Sequence, residues 1–510
     1  MAAPDAGGTD EKLTFGELAA RTARVQAGLR RAGFEVGDRV IALFPLSVDF
    51  YALALALLSS GMVIVLVDGS MAPRRMLRVF KGVRAQAIVS VRALLKWWPL
   101  VPTLARLRRY AVDRAGLGVR PFGELVAEPS AAWPEVAPHE PADPALITFT
   151  SGSTGRAKGA DRTHGHLWAQ HQVLCEHAPL REGEVIMTCF PAVTLHDLAC
   201  GVTTVLPPVD LRAPATIDPQ RAVDCMLRYG VTFLSTSPAF LRRVAEHMAR
   251  TGARVPSVRR VEVGGAPVSR KLCALVQEAF PQAESWIIYG STEAEPMTKA
   301  AMTEALSASG AGFLVGRPVA GAEIALVALP DPPPAPGAPS IDPWRVAHGQ
   351  VGEVIVRGPH VNRRYVDNPE ADRTNKISVA DGSVWHRTGD LARLDAQDRL
   401  WLVGRAVDRL DRSEGALDPY ALEAAALDVP GVRTAALLAH AAAPSGELCV
   451  ELEPDAASEA AMQSLRVLLA SGGHEGIGLR AVAEIPMDPR HQSRVDRSLL
   501  RTQLETASRR

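Results

Sequence analysis

A ten-residue segment, TSGSTGRAKG (150–159), combines three glycines, four hydroxyl side chains and one lysine directly after the apolar run ALITF. Glycines let the backbone approach an anion closely, exposed amides and hydroxyls bind phosphate oxygens, and a lysine adds a point charge. The spacing differs from GxxxxGK[ST], so this is not a standard P-loop. A flexible solvated loop is the alternative, but it has no need of a lysine at this place. The residues that we expect to contact phosphate are Thr150, Ser151, Gly152, Ser153, Thr154, Gly155 and Lys158.

A second motif, YGSTEAEPM, follows the apolar run SWII. It brings an aromatic ring, hydroxyl groups and a carboxylate to the carboxyl end of a predicted strand, where ligands of open α/β sheets collect. In that place Tyr289 can stack on a base, Thr292 can hydrogen-bond a phosphate, and Glu293 can hold Mg²⁺. A simple turn is the alternative interpretation of this motif alone.

A third motif, WHRTGDLARLD, is followed by LVGR. Asp390 comes directly after Gly389, and a carboxylate in such a turn suits a bidentate hydrogen bond to a ribose diol. Arg405 can contact phosphate or ribose. Taken alone, the motif is also compatible with an ordinary turn, and Arg405 with a surface charge.

The segments that must position these motifs alternate between helical and strand patterns. Apolar runs such as VIALF, MVIVLV, VTFLST and RRVEVGG predict two layers of mostly parallel sheet covered by helices. After about Gly310, short strands without long helices predict a small antiparallel or β-barrel-like unit, with the Pro-rich stretch 330–339 as a loop inside it or as a linker. The last hundred residues predict an α+β unit. The expected fold is therefore α/β, with an N-terminal domain at 1–404 and a small C-terminal domain at 405–510.

The composition of the 510-residue chain narrows the possible partners. Lys+Arg and Asp+Glu both number 56, so no net field favours nucleic acid or an anionic membrane. Six scattered cysteines without CxxC spacing indicate reduced thiols, and no signal-peptide pattern is visible, so we expect a cytoplasmic protein. The most apolar stretch, 51–67, predicts a buried helix and a buried strand, with a membrane-spanning helix as the alternative.

The order of the motifs TSGSTGRAKG, YGSTE, TGD and GR, together with LTFGEL and GGAPV, resembles the adenylate-forming superfamily of acyl-CoA synthetases, peptide-synthetase adenylation domains and luciferases. The resemblance covers about 13–500. It implies that the loop at 150–159 holds the β- and γ-phosphates of ATP, Glu293 binds Mg²⁺, Asp390 binds the ribose, and Arg405 precedes the hinge of a mobile C-terminal domain. The other residues implied at the nucleotide are Gly264, Gly265, Ala266, Pro267, Tyr289, Gly290, Ser291 and Thr292.

The strings IPMDPRHQSRVDR, GGAPV, YGSTEAEPM and FLSTSPAFL look more specifically like the olefin β-lactone synthetases. In those enzymes a β-hydroxy acid is adenylated and its own hydroxyl then displaces AMP. An intramolecular hydroxyl has a high effective concentration, but it needs a base. His491 and Asp488 are candidates for that base if the C-terminal domain covers the site; a surface histidine is the alternative for His491. The expected pocket residues are His196, Asp197, Ser237 and Gly265.

Two positions depart from the superfamily pattern. The lysine that bridges carboxylate and α-phosphate in the superfamily corresponds here to Arg494, and no lysine follows Lys376. Arginine keeps the charge but is planar and bulkier, so we expect slower adenylation or a different placement of the guanidinium. The hinge position two residues after Arg405 is Val407, where relatives carry Asp or Lys.

Two further patterns allow a choice of interpretation. His164, His166 and His171 lie close together, which suggests a metal site, but we find no Cys or carboxylate to complete the ligand set and expect none. The stretch KWWPLVPTLARLRR, from Lys96, predicts a partly buried amphipathic helix, with contact to a membrane or partner protein as the alternative.

Three functions follow from these residues. The leading hypothesis is an ATP- and Mg²⁺-dependent enzyme that converts a β-hydroxy acid to a β-lactone. The second is an acyl-CoA or acyl-carrier-protein ligase, and the third is a degenerate, non-catalytic adenylate-binding protein, suggested by Arg494 and Val407. The expected partner is a small carboxylic acid, with an acyl carrier protein or pathway enzymes as further candidates.

Overall fold

The computed structural model of the protein describes residues 1–3, 11–126, 133–150, 158–208, 216–330, 334, 337–454, 456–488 and 493–508. Three β-sheets organise these residues, with seven, fourteen and three strands. Several residues expected at the site lie outside the described ranges, namely Ser151, Gly152, Ser153, Thr154, Gly155 and His491.

The first part of the chain builds the seven-stranded sheet, which we call the first sheet. Its strands and those preceding it are β1 (Ala2–Ala3), β2 (Glu11–Lys12), β3 (Arg39–Leu43), β4 (Val63–Leu66), β5 (Ala87–Ser90), β6 (Arg108–Ala111), β7 (Arg120–Pro121), β8 (Pro144–Thr150) and β9 (Lys158–Thr163). The helices are α1 (Phe15–Arg31), α2 (Val48–Ser59), α3 (Pro73–Gly82), α4 (Arg92–Leu95) and α5 (Pro102–Ala105). The strand order is β7-β6-β5-β3-β4-β8-β9, and every neighbouring pair is parallel except β8 with β9, which is antiparallel.

The second sheet has fourteen strands, because β1 and β2 join it beside β11. Its other early strands are parallel and alternate with helices. Its first half contains α6 (His164–His177), β10 (Val185–Thr188), α7 (Pro191–Ala199), β11 (Thr203–Val205), α8 (Pro219–Tyr229), β12 (Phe233–Thr236), α9 (Pro238–Thr251), β13 (Arg260–Gly264), α10 (Arg270–Ala279), β14 (Glu284–Ser291), β15 (Ala294–Ala301) and α11 (Met302–Ser307). Helix α2 packs between this sheet and the first, because its apolar residues are buried on all sides and its Tyr51 hydroxyl donates to the Pro191 carbonyl at 3.5 Å. The predicted α/β layers are confirmed.

The second half of this sheet is antiparallel. It contains β16 (Phe313–Pro318), β17 (Glu323–Val327), β18 (Gly352–Arg357), α12 (Pro369–Asn375), β19 (Lys376–Ser378), β20 (Val384–Leu394) and β21 (Leu400–Arg405). The antiparallel character was predicted, but these strands join the second sheet through pairing of β15 with β16. Gly316 permits this crossing, since its φ is +83° and a Cβ there would overlap the Lys299 carbonyl. The Pro-rich stretch connects two neighbouring strands, β17 and β18, as expected of a loop within one unit.

The C-terminal residues form the three-stranded sheet with its own helices. The elements are α13 (Pro419–Leu427), β22 (Val432–His440), β23 (Ala443–Leu452), α14 (Ser458–Ser471), β24 (Gly478–Val482) and α15 (Arg497–Ser508). A buried ion pair joins two of the helices, with Arg497 Nη2 2.7 Å from Glu423 Oε1. The separate apolar core of this unit matches the predicted α+β class.

Two predictions about apolar segments have different outcomes. The stretch 51–67 forms the buried end of α2 and the buried strand β4, as expected, and no helix among the described residues is long and apolar enough to cross a membrane. The prediction of a helix that begins at Lys96 is wrong. The segment breaks into a 3₁₀ turn at Trp98–Leu100 and the four-residue helix α5, because Pro99 and Pro102 each remove a backbone donor.

Candidate active site

The turn between β14 and β15 carries Glu293 into a buried position. Its Oε1 accepts a hydrogen bond of 2.8 Å from the Tyr365 hydroxyl, which comes from the segment after β18. Burial alone would raise the pKa of this carboxyl, but its electrostatic interactions with His386 and Lys376 and the Tyr365 hydrogen bond lower it below its usual value. Glu293 is therefore an ionised carboxylate at neutral pH, held beneath the surface.

Two lysines approach the Tyr365 ring from different parts of the sequence. Lys158, at the start of β9, has its Nζ 5.7 Å from the ring centroid and donates to Asn375 Oδ1 at 2.9 Å. The Nζ of Lys376 lies 5.1 Å from the same centroid and donates to the Asn362 carbonyl. Burial lowers the pKa of both lysines, and that of Lys376 to about 7. The two most important predicted motifs thus meet, because Lys158 and Glu293 share Tyr365 as a neighbour.

The third motif forms a second polar group on adjacent strands. Asp390 on β20 pairs in register with Arg405 on β21, and Asp390 Oδ1 lies 3.1 Å from Arg405 Nε. The Tyr289 hydroxyl donates to Asp390 Oδ2 at 2.8 Å, and Arg405 Nη2 donates to the Thr388 carbonyl at 3.1 Å. The ion pair raises the pKa of Arg405, while burial and the Asp390 charge raise that of Tyr289. Tyr289, Asp390 and Arg405 are therefore brought together.

The GGAP segment lies beside YGSTE because β13 and β14 are neighbouring parallel strands, with Gly264 opposite Ile288. Gly265 follows with a φ of +90°, a conformation that favours glycine, and starts the turn that contains Ala266 and Pro267. Arg162 on β9 donates to the Thr292 carbonyl at 2.5 Å and so joins the second motif to the first sheet. Gly290 lies in a tight part of this turn, since a Cβ there would come 3.1 Å from the Ala294 carbonyl. The buried Oγ of the next residue, Ser291, has no hydrogen-bond partner in the described part of the chain.

An apolar cavity of about 1300 Å³ lies at the carboxyl ends of the first sheet's strands. Its walls come mainly from those strands, from α3 and from the segment around Trp97, and its inner end reaches Arg162, Ser237 and Thr292. It is larger than the roughly 300–1,000 Å³ typical of small-molecule pockets. The cavity therefore connects an extended apolar space to the polar residues of the second motif.

The four expected pocket residues have different relations to this cavity. Ser237 lines it, and a Cβ at Gly265 would come 3.7 Å from the ring of Phe190, another lining residue. His196 and Asp197 are buried further along α7 and are not part of its lining, because only the first turn of that helix faces the cavity. Burial, reinforced by the Glu262 charge, raises the pKa of Asp197 to about 8.

The segment that contains Arg494 touches the N-terminal domain. Ala239 N, in the first turn of α9, donates to Ser493 Oγ at 3.1 Å. The backbone of Arg494 is fixed by Asp488, whose N donates to the Arg494 carbonyl at 2.7 Å and whose Oδ1 accepts from Arg494 N at 3.1 Å. Since Ser237 caps α9 and lines the cavity, this contact places Ser493, the residue before Arg494, at the start of a helix that borders the cavity.

Sequence reasoning missed the residues that surround Glu293 and Lys158. These are Tyr365, Asn375, Lys376 and His386, and they lie on β19, β20 and the segments before them. Only Lys376 carried a usable signal, because a lysine is rare in this chain. Tyr365, Asn375 and His386 reach the site only because α12 and β19 pack against the second motif.

Comparisons with known proteins agree with this arrangement. The family described as AMP-binding enzyme matches residues 2–366. An olefin beta-lactone synthetase from Stenotrophomonas maltophilia is 34% identical, over 96% of this chain and 91% of that protein. One from Xanthomonas campestris pv. campestris is 32% identical, over 96% of this chain and 90% of that protein. Among solved structures, the amide bond synthetase McbA from Marinactinospora thermotolerans superposes with a TM-score of 0.81 at 22% identity, over 99% of this chain and 96% of that one.

Proposed function

The chain belongs to the AMP-binding enzyme family and is an ATP-dependent, acid-activating ligase, and from this premise we propose that it converts a β-hydroxy acid to a β-lactone. The observation that carries the proposal is the apolar cavity of about 1300 Å³, whose inner end reaches Thr292 and Ser237. A cavity of this size suits an acid with a long or branched hydrocarbon body. The likeness to two olefin beta-lactone synthetases supports the lactone as the product.

The first half-reaction forms the acyl-adenylate. A carboxylate oxygen of the acid attacks the α-phosphorus of ATP, the bond to the bridging oxygen of the β-phosphate breaks, and pyrophosphate leaves with the electron pair. In our proposal Lys158 and the loop before it, with Thr150, hold the β- and γ-phosphates. Thr292 contacts the α-phosphate, and Arg494 reduces the repulsion between carboxylate and phosphate.

The nucleoside is held by the second polar group. We assign the ribose diol to Asp390 and Arg405, and the face of adenine to Tyr289 and to the segment Gly264 to Pro267. The Tyr289–Asp390 hydrogen bond of 2.8 Å supports this assignment, since it fixes the carboxylate that would accept both ribose hydroxyls.

Mg²⁺ is the metal that the family implies, and Glu293 is suited to hold it. Its carboxylate is ionised and buried, and Tyr365 occupies only Oε1 by a hydrogen bond. Mg²⁺ in nucleotide sites is bound through one or two carboxylates together with phosphate oxygens. When bound, the ion neutralises charge that develops on the phosphates.

The second half-reaction closes the ring. The β-hydroxyl oxygen attacks the acyl carbon, the bond from that carbon to the AMP oxygen breaks, and the hydroxyl proton passes to a base. We assign this base to His491, with Asp488 as the other candidate. The high effective concentration of a hydroxyl within the same molecule favours this route over an external acceptor.

We also propose that residues 405–510 move as one domain between the two half-reactions. The three-stranded sheet has its own core, and Val407 is exposed just after Arg405, so its side chain is not held by packing at the proposed hinge. Val407 replaces the Asp or Lys that relatives carry at this hinge position, and this replacement still allows the domain to rotate.

A screen of ATP–pyrophosphate exchange over β-hydroxy, simple fatty and aromatic acids tests the first half-reaction. The second is tested by mass spectrometry of products formed with and without coenzyme A or an acyl carrier protein. We expect exchange with long β-hydroxy acids and a product that lacks one water, formed without coenzyme A. Strict dependence on coenzyme A or carrier protein would support the ligase instead, and no exchange with any acid would support a non-catalytic adenylate-binding protein.

A further inference from the structure

Two helices of the second sheet each present a histidine and a cysteine one turn apart. On α6 these are His171 and Cys175, and in α7 and its C-cap they are His196 and Cys200. Residues at positions i and i+4 share one face of a helix, so each helix presents a nitrogen and a sulfur donor to the other. The four residues are separate from the nucleotide residues described above.

The distances within this group resemble those of a tetrahedral metal site. One donor atom from each of the four residues can be chosen so that all lie within 4.8 Å of one another. The Nδ1 atoms of His171 and His196 are 3.0 Å apart, and Cys200 Sγ is 3.9 Å from the same Nδ1 of His196. Zinc bonds of about 2.0–2.3 Å in a tetrahedron place ligand atoms roughly 3.3–3.8 Å apart, so only small side-chain movements are needed.

The donor chemistry also points to one metal. Two sulfur and two nitrogen ligands in tetrahedral arrangement select Zn²⁺ over Mg²⁺ or Ca²⁺, which prefer oxygen. Two thiolates and two neutral imidazoles offset the charge of one divalent ion. This balance matters because an uncompensated charge is costly where His196 is buried and the other three residues are partly buried. The ring of Trp168 stacks on His171 with centroids 5.5 Å apart and shields that side.

We propose that His171, Cys175, His196 and Cys200 bind one structural Zn²⁺ ion that joins α6 to α7. Binding forms two Zn–S and two Zn–N bonds and releases the two thiol protons to solvent. Four protein ligands leave no open position, so the ion supports structure and takes no part in the reaction. Its effect reaches the acid site through α7, because Pro191 and Ala192 at the start of that helix line the cavity.

The first experiment measures metal in the purified full-length chain. After incubation with ZnCl₂ and removal of free metal, we expect about one zinc per chain by mass spectrometry. Replacement by Co²⁺ should give visible bands of tetrahedral cobalt and a thiolate-to-cobalt band in the near ultraviolet. Substoichiometric zinc with no such bands would overturn the proposal, whatever the acid-activating activity turns out to be.

The second experiment compares the zinc content of conservative variants inside and outside the group. Cys175→Ser combined with Cys200→Ser should reduce zinc content at least tenfold, whereas His164→Gln and Cys225→Ala, outside the group, should leave it unchanged. The Co²⁺ spectrum of the wild-type chain makes the result independent of how well the double variant folds. Equal zinc in all variants would contradict the assignment. A Cys175–Cys200 disulfide, detected by alkylation without reduction, would also contradict it.

Discussion

The proposed nucleotide cluster, formed by Glu293, Lys158, Tyr365 and Lys376, and the apolar cavity are built in opposite ways. The cluster residues come from three distant segments, around 158, 293 and 365–376, and meet through single hydrogen bonds and ring contacts. The cavity is lined mainly by residues 42–149, whose walls are consecutive parts of one sheet and its helices. The first region depends on individual charges, whereas the second depends on volume. We therefore expect abrupt losses from changes in the cluster and graded changes of acid preference from the cavity.

The largest effect is expected for Glu293→Gln. The substitution keeps the shape of the side chain but removes the charge proposed to hold Mg²⁺, so ATP–pyrophosphate exchange should fall about 10²- to 10³-fold. Glu284→Gln, at the exposed start of β14, the strand that precedes the turn of Glu293, is the matched control and should keep wild-type exchange. Near-normal exchange in Glu293→Gln would mean that the cluster does not act on the triphosphate.

Asp390→Asn should raise the KM for ATP about 10- to 100-fold, since a charge-assisted hydrogen bond contributes about 1.5–3 kcal/mol. The KM for the acid should change little, because Asp390 does not line the cavity. Asp398→Asn, at a turn residue with a φ of +56° that Asn tolerates, serves as control. Equal changes in the KM for ATP and the KM for the acid would contradict the assignment of ATP and acid to separate regions.

Arg494 tests whether the C-terminal unit takes part in the same chemistry. Arg494→Ala should lower pyrophosphate exchange about tenfold or more, because it removes the charge that we propose reduces the repulsion between carboxylate and phosphate. Arg494→Lys should retain or exceed the wild-type rate. Unchanged exchange in both variants would remove Arg494 from the mechanism.

A smaller and graded effect is expected for Ala93→Phe, which adds a ring to the cavity wall near its outer end. Relative kcat/KM should fall about three- to tenfold for the longest acids and stay constant for short ones. Ala105→Phe, on the neighbouring helix α5 but outside the lining, is the control. A uniform loss over all chain lengths would contradict a role of this wall in measuring length.

The smallest catalytic effect is expected for Asp395→Asn, in the turn that joins β20 to β21. Burial alone would raise the pKa of Asp395, but hydrogen bonds from Trp401 and Arg399 outweigh it and lower the pKa. A depressed folded-state pKa stabilises the fold above the ordinary carboxyl pKa, and this contribution is lost as the pH falls through the folded value. We expect about 1 kcal/mol lower stability at pH 7, with the difference shrinking below about pH 4. Thermal unfolding at both pH values measures this, and the KM for ATP should change less than threefold.

Sequence patterns predicted the elements well where hydrophobic periodicity decides them. The apolar runs VIALF, MVIVLV and VTFLST predicted strands that the structure contains. The pairing of Asp390 with Arg405 was not, because strand register depends on the hairpin formed by Asp395 and Arg399. No sequence motif around Tyr365 predicts its place at the site, because its contact with Glu293 arises only when the segment after β18 packs against the turn between β14 and β15.

The histidine–cysteine group shows a different kind of failure. His164, His166 and His171 are close in sequence, but residues four apart share a helix face, so the relevant neighbour of His171 on α6 is Cys175. The same four-residue spacing recurs at His196 and Cys200. A search for matched His-x₃-Cys pairs would have found both halves, although only the packing of α6 against α7 brings them together.

The broken segment from Arg92 to Ala105 has an evolutionary consequence. Its short helices are interrupted by prolines, cover the outer part of the cavity and contribute no residue to the nucleotide cluster. Insertions and substitutions there can alter which acid is accepted while ATP use is preserved. We therefore expect diversification of substrates among descendants of this enzyme to concentrate in that stretch.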